Sequence, residues 1–520
     1  MLKKCFAFLI LFIIVFLPAI DDDVWTTSLD KMSSLLELIK KNYHREFEYD
    51  KGVYASIRGM LHTLDPHSYF LDPESFSRMQ EDYRGKYFGL GILIQKQEDR
   101  LVVISPIEGG PASRLGIQAG DIISHIEGKS TKPISSLDAV HLLRGPKGKP
   151  VNITIVREGL DEPLELTVVR DEIPLHSVPY SFMLTEDTGY IFIRNFAETT
   201  TDEFEGRIRA LEIQGMKRLI LDMRGNSGGT FLQALEISDE FLARGDQIVS
   251  IRGRNKGYNR EFFAVRDEQY ENLPLVILIN QGSASAPEIV AGAVKDNDRG
   301  IIVGQNSWGK GLVQTVFPLS PNTAVALTTA KYFTPSGRSI QKYSSVDNYV
   351  LHQAVPEEER EVRYTAKGRK VLGQGGIAPD YEVDFLYSNI TASLVFRGRF
   401  FTYAQKFVNG ETPLSKTLLF PSNESESSPG KQGKININRG FKVGQRVVED
   451  FRNFLTKGGF EFSQKDFTDA EEEIKRELER EIYSSYFGIE EGIRVFRKND
   501  PVVLKAIEVF SEAAALVRDR

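Results

Sequence analysis

The sequence predicts a multidomain chain of mixed α+β and α/β class, with an α/β core, a small β unit before it and helical segments at both ends. Three observations predict this. Candidate strands and helices alternate through residues 186–385, the pattern of a sheet covered by crossover helices. Short β-type runs separated by glycine and proline turns fill residues 86–160. Apolar residues at helical spacing, such as Leu35, Leu36, Leu38 and Ile39, mark the stretch before residue 85, and a charged helical pattern fills 436–520. A chain of 520 residues has room for roughly three to four such domains.

The elements follow in order. Met1-Leu2-Lys3-Lys4 precedes an apolar stretch from Cys5 to Ile20, which stops abruptly at Asp21-Asp22-Asp23. A basic start and a short apolar core predict a secretory signal over 1–20. The stretch is short for a membrane span, but Leu17-Pro18-Ala19 is a poor cleavage site, so an uncleaved signal anchor stays open. Either form places the protein outside the cytoplasm, periplasmic or anchored facing outward. Residues 21–85 form a helical region, interrupted by the turn Leu64-Asp65-Pro66-His67-Ser68-Tyr69. The β unit spans 86–160, with a helix at Ser136–Leu143, and connecting strands occupy 161–185. In the core, strands are expected at Gly189–Arg194, Arg218–Met223, Leu273–Asn280, Gly300–Val303, Leu312–Phe317 and Ala324–Thr329. Helices are expected at Thr201–Gln214, Leu232–Phe241 and Ala286–Lys295. Residues 386–435 read as a helix followed by a flexible linker, rich in Ser, Asn, Gly and Lys over 422–434.

Composition narrows the chemistry. The net charge of −7 gives no basic surface for nucleic acid. The one cysteine, Cys5, lies in the N-terminal apolar run, so the body has neither disulfides nor thiolate chemistry. The seven histidines are scattered and none has zinc-protease spacing, so no metal or other cofactor is expected.

The run Tyr87-Phe88-Gly89-Leu90-Gly91-Ile92 opens the β unit. Gly110-Pro111-Ala112, Leu115-Gly116, Gly120-Asp121-Ile122-Ile123 and a helix follow in order. This set resembles a PDZ domain over about 75 residues. In such a domain Gly89, Leu90, Gly91 and Ile92 would turn backbone N–H groups into one concavity that holds a terminal carboxylate. The peptide would then pair with the edge strand that follows.

The strand at Leu273–Asn280 runs into Gln281-Gly282-Ser283-Ala284-Ser285-Ala286-Pro287-Glu288. A serine between a strand end and a helix start exposes its hydroxyl beside free helical N–H groups. The same Ser285-to-Glu288 spacing is also a helix capping box, so local sequence leaves both readings open. Lys310 lies in Trp308-Gly309-Lys310-Gly311, with Gln314 four residues on. A lysine can take a serine proton only when uncharged, which burial favours. Gln314 could orient it without adding charge, and if a strand began at Lys310 both side chains would share one face.

Here the chain resembles the carboxyl-terminal processing, or tail-specific, proteases over residues 30–385. The motifs are Leu64-Asp65-Pro66-His67-Ser68, the PDZ-like unit and Leu221-Asp222-Met223-Arg224-Gly225-Asn226-Ser227-Gly228-Gly229. Gly282-Ser283-Ala284-Ser285-Ala286, Gly304 through Gln314, Tyr332 through Arg338 and Gly376 through Asp380 complete the order. The resemblance implies a crotonase/ClpP-like β/α protease core with an inserted PDZ domain. It implies Ser285 as nucleophile, Lys310 as base and Gln314 as its support. It also implies an oxyanion hole from the N–H of Ala286 and one of the glycine pair, here taken as Gly228. Asp296 matches a family aspartate and is read as structural. Pro287 departs from the family pattern but lies beyond the Ala286 N–H, and 422–520 runs past the usual family end.

The expected function is serine endopeptidase action near the C-terminal tails of proteins, with peptide or protein substrates and no nucleic-acid partner. Terminal helices offer a route to homo-oligomers, and 5–20 a route to membrane anchoring. The rivals are a catalytically silent PDZ scaffold and, lower, an acyl-CoA enzyme on a related core. Retention of Ser285, Lys310 and Gln314 speaks against the first.

Overall fold

A computed structural model of the protein describes residues 22–97, 99–157, 160–267, 270–320, 322–343, 349, 353–417, 435 and 437–518. The expected signal over 1–20 and the linker over 422–434 lie outside the described residues. Among the described residues no helix is long and apolar enough to cross a membrane.

The core is a six-stranded sheet in the order Tyr180–Met183, Thr188–Phe192, Arg218–Asp222, Leu275–Ile279, Ile301–Gly304, Tyr381–Glu382. The first pair is antiparallel and the rest are parallel. Buried parallel strands read as continuous apolar runs, as Leu275–Ile279 does. Period two splits each run between two faces. Leu275, Ile277 and Ile279 pack with the helices Thr200–Ile213, Phe231–Asp239 and Ala286–Asp296. Val276 and Leu278 face the other way, onto the helices Pro501–Glu508 and Phe510–Arg518 at the end of the chain. The C-terminal extension is therefore the second cover of the core sheet. The sequence left open whether it docks there, dimerises or binds a partner.

A second, antiparallel sheet carries the site. The hairpin Leu312–Ser320 and Thr323–Phe333 pairs onward with Tyr69–Leu71 and with Gln247–Gly253, which pairs with Arg260–Phe263. Through Tyr69–Leu71 the N-terminal helical region is tied into this sheet, directly after its Asp65-Pro66-His67 turn.

The β unit has its own sheet, Ile92–Gln97, Arg100–Pro106, Ile122–Ile126, Pro150–Val156 and Leu164–Val169, with Lys129–Ser130 beside Ile122–Ile126. It runs on past residue 160, because Leu164–Val169 completes a hairpin with Pro150–Val156. The strands on either side of the unit, Lys86–Gly89 and Asp171–Pro174, pair with each other and make a neck. The helix Ser136–Leu143 begins with a reciprocal Ser135–Asp138 cap, Asp138 N–H to Ser135 Oγ at 3.1 Å. Gly89 ends one strand, Leu90 is buried, Gly91 sits at φ +72° and Ile92 opens the next strand. A side chain at that φ would be strained.

Helices Asn389–Phe396, Arg399–Val408, Gln445–Lys457 and Glu471–Phe487 bury a separate aromatic core around Phe400, Tyr403, Phe407 and Phe451.

Candidate active site

Ser285 stands at the junction of the strand Leu275–Ile279 and the helix Ala286–Asp296. Its backbone is at φ 63°, ψ −108°, outside the regions a non-glycine residue prefers. An ordinary N-cap serine is extended and lends its hydroxyl to the helix. Ser285 is not extended; its own N–H donates to Glu288 Oε2 at 2.7 Å, and the Glu288 N–H donates to the Ser285 carbonyl at 2.9 Å. Ser285 also lines the site's cleft. Ser283 is buried and structural, its Oγ donating to the Met223 carbonyl at 2.8 Å while accepting the Asn280 N–H at 3.0 Å. That separates the two serines of the motif.

A cleft of about 1010 Å³ brings together Ser285, Ala286, Gly228, Lys310 and Gln314. Its other walls are the helix Pro73–Arg84, through Ser75, Arg78, Met79, Asp82 and Tyr83, and Arg144 at the end of the β unit's helix. The site therefore opens between the core, the N-terminal helices and the β unit. The glycines expected to hold a carboxylate, Gly89, Gly91 and their neighbours Leu90 and Ile92, lie outside this cleft's lining.

Lys310 Nζ donates to Gln314 Oε1 at 2.6 Å. The sequence argument for that meeting does not hold in detail. The strand begins at Leu312, not Lys310, and its register shifts between Val313 and Gln314. The side chains meet across this irregular entry to the strand, not through a regular period of two. Burial pushes the Lys310 amine below the ordinary lysine range, and the charges of Glu288 and Asp65 push the other way. Among the described residues no hydrogen bond joins the amine to the Ser285 hydroxyl; both residues line the same cleft.

Gly228 is the expected oxyanion donor. Its φ is +111°, and a Cβ there would lie 3.0 Å from both the Ala284 carbonyl oxygen and the Ser285 Cβ. Only glycine allows this approach to Ser285. Its N–H, however, donates to Asn226 Oδ1 at 2.9 Å. The asparagine side chain caps the amide two residues on, a local turn that the motif's spacing already permits. The Ala286 N–H is the first amide of its helix, a position with no partner inside the helix.

Three holding residues escaped the sequence reading of the site. Glu288, expected as a cap, is fully buried and accepts from Ser285 N–H (2.7 Å), Ser307 Oγ (2.5 Å), Gly309 N–H (2.7 Å) and Lys310 N–H (3.0 Å). One carboxylate thus ties the loop of the serine to the loop of the lysine. Burial pushes its carboxyl upward, against these four donors. Asp65 is the second. Its Oδ1 accepts the N–H of His67 and of Ser68 at 2.7 Å, and its Oδ2 accepts the Ser68 hydroxyl at 2.9 Å. The turn so held presents the His67 carbonyl to Gln314 Nε2, which fixes the amide with Oε1 toward Lys310. Asn226 is the third. Its carbonyl accepts the Ala284 N–H at 3.0 Å and its Nδ2 donates to the Ile193 carbonyl at 2.9 Å. Asp65 and Asn226 lay inside motifs already noted, but the segments they tie in, at Gln314 for the Asp65 turn and at Ala284 and Ile193 for Asn226, are remote in sequence.

The family model for peptidase family S41 matches residues 187–350, that for the PDZ domain 102–157, and that for the C-terminal helical domain of probable PDZ-proteases 463–510. A carboxy-terminal-processing protease of Bartonella bacilliformis is 38% identical over 360 residues, covering 67% of this chain and 82% of the relative. The carboxy-terminal processing protease CtpA of Bacillus subtilis is 36% identical over 314 residues, covering 60% and 66%. Among solved structures, a photosystem II D1 C-terminal processing protease matches at 28% identity and a TM-score of 0.37, covering 68% of this chain and 86% of its own.

Proposed function

The chain belongs to the carboxy-terminal-processing proteases of peptidase family S41, and from that premise we propose that it is an exported endopeptidase that cleaves near protein tails with a Ser285–Lys310 pair. It is a serine-type peptidase carrying a PDZ domain. The observation that carries the finer reading is the shared cleft. Ser285, on its unusual backbone at the helix start, and Lys310, half-buried and bonded to Gln314, open onto one space.

The chemistry runs as acyl transfer. The tail's carboxylate docks at Gly89–Ile92 and the upstream chain reaches the cleft. Uncharged Lys310 takes the hydroxyl proton as Ser285 Oγ bonds to the scissile carbonyl carbon. The resulting oxyanion is met by the Ala286 N–H and by the Gly228 N–H, which Asn226 Oδ1 releases or shares. Lys310 then gives the proton to the leaving amine, and water hydrolyses the acyl-enzyme by the same steps. Gln314 holds the amine without a charge that would keep it protonated. Export rests on residues 1–20, and the cleft-facing PDZ domain suits peptide and protein substrates with free C-termini.

The pH profile tests the base. Burial lowers the Lys310 pKa from the ordinary lysine value, so kcat/KM should rise with pH and level off, below the ordinary lysine range, once Lys310 is deprotonated. A rate that stays flat from mildly acidic to alkaline pH would exclude a lysine base. Asp65→Ala should remove the turn that presents the His67 carbonyl to Gln314. Kinetics on a tail peptide are expected to show kcat down by up to about 10²-fold, with binding to the PDZ domain unchanged.

A further inference from the structure

The loop that carries Gly228 is tied by its backbone to its neighbours, Gly225 N–H to Asn280 Oδ1 at 2.8 Å and Phe196 N–H to the Gly228 carbonyl at 2.9 Å, and few of its own side chains add to this. Gly225, Gly228 and Gly229 all sit at positive φ, at +71°, +111° and +145°. Its side-chain anchors are Asn226, already described, and Arg224, which turns away from the cleft. The Arg224 side chain, 9% exposed, sits in a cluster of charges. Its Nε donates to Asp222 Oδ1 at 3.0 Å and its Nη2 to Asp222 Oδ2 at 2.6 Å. On the far side it forms a two-pronged pair with Asp500, Nη2 to Oδ2 at 2.7 Å and Nη1 to Oδ1 at 3.2 Å. Arg497 Nη1 donates to the same Asp500 Oδ2 at 2.9 Å, and Tyr190 Oη donates to Asp222 Oδ2 at 2.6 Å. Two arginines and two aspartates balance within the core.

Asp500 and Arg497 come from the C-terminal helical domain. Asp500 also caps the helix Pro501–Glu508, accepting the Val502 N–H at 2.9 Å. Burial opposes ionisation of both carboxyls, yet the guanidinium groups hold Asp222 down to about 2 and Asp500 below the usual range. Docking of the helices does not require these charges. Val502, Val503, Ala506, Phe510 and Ala513 already bury against Tyr190, Ile220 and Val276. Buried ion pairs are weak sources of stability and are better suited to fixing one geometry.

We propose that Asp500 is a positioning residue for the oxyanion loop, clamping Arg224 from the C-terminal helical domain so that Asn226 and Gly228 meet the Ser285 loop in register. This rests on the Ser285–Lys310 reading. The clamp is two residues from Asn226, whose carbonyl holds the Ala284 N–H and whose side chain holds the Gly228 N–H. A shift at Arg224 therefore reaches both loops that face the oxyanion.

The test uses the full chain and a chromogenic tail peptide. Asp500→Asn keeps a side-chain oxygen for the helix cap but removes the charge. The pair Arg224→Met with Asp500→Leu removes both partners and leaves Asp222 and Arg497 balanced, which guards against simple unfolding. For folded protein, both variants should lose about tenfold or more in kcat. KM, and the affinity of a non-cleavable tail peptide, should stay within about twofold. A wild-type kcat in either folded variant overturns the proposal, as does a loss explained by the unfolded fraction alone. Lys310→Ala, run in parallel, separates the two ideas. If it stays active, the dyad reading fails. If it is inactive while the Asp500 variants are normal, only the clamp fails.

Discussion

Lys310→Ala is expected to lower kcat on a tail peptide by about 10²–10⁴-fold, the range for loss of a positioned general base. The effect should fall on kcat and not on tail binding, because the carboxylate loop at Gly89–Ile92 lies apart from the cleft that holds Lys310. Gln314 Oε1 would lose its partner, but its amide stays bound to the His67 carbonyl, so the fold around it should persist. Stopped-time assays with the purified variant, beside fluorescence binding of a non-cleavable peptide, separate the two quantities. Lys310→Arg should not rescue, since a guanidinium stays charged at any working pH. Turnover retained in Lys310→Ala would remove this amine from the chemistry and return Ser285 to the status of an unusual helix start.

Glu288→Ala is expected to be the most destabilising single change at the site, on the order of 4 kcal/mol. Three backbone amides and one hydroxyl lose their acceptor together, around a side chain that is fully buried. A buried donor left unsatisfied carries its full desolvation penalty. Denaturant titration of the protease core measures this. Activity should be lost as well, even at low denaturant, because the serine and lysine loops would no longer share a tether. Glu288→Gln keeps one oxygen and should lie between wild type and alanine. A Glu288→Ala protein as stable as wild type would show that the loops are held by other means.

Much of this protein could be read along the chain. The apolar run at Leu275–Ile279, the glycines about Lys310 and the ordered turns after Gly89 each announced an element from local pattern. The serine was harder, because a capping box and a strand-to-helix nucleophile share the same letters. What sets Ser285 apart from an ordinary cap is its backbone, at φ 63° and ψ −108°, where a cap serine is extended. The lysine–glutamine pair was found by a period argument that the register shift at Val313 and Gln314 does not obey. The N–H of Gly228 was expected free, and Asn226 holds it.

Taken alone, the sequence determined which groups could do chemistry and which stretches were strand, helix or turn. Those depend on residue type and on spacings of a few residues, where side-chain period and backbone freedom act. Only the tertiary structure decided what holds those groups. Asp65 reaches the catalytic sheet through His67 and Gln314, 247 residues later, and Arg224 meets Asp500 across 276 residues. No local periodicity encodes such pairs. They form because folding buries charged and polar groups, and each buried donor or carboxylate must find its partner wherever in the chain that partner lies.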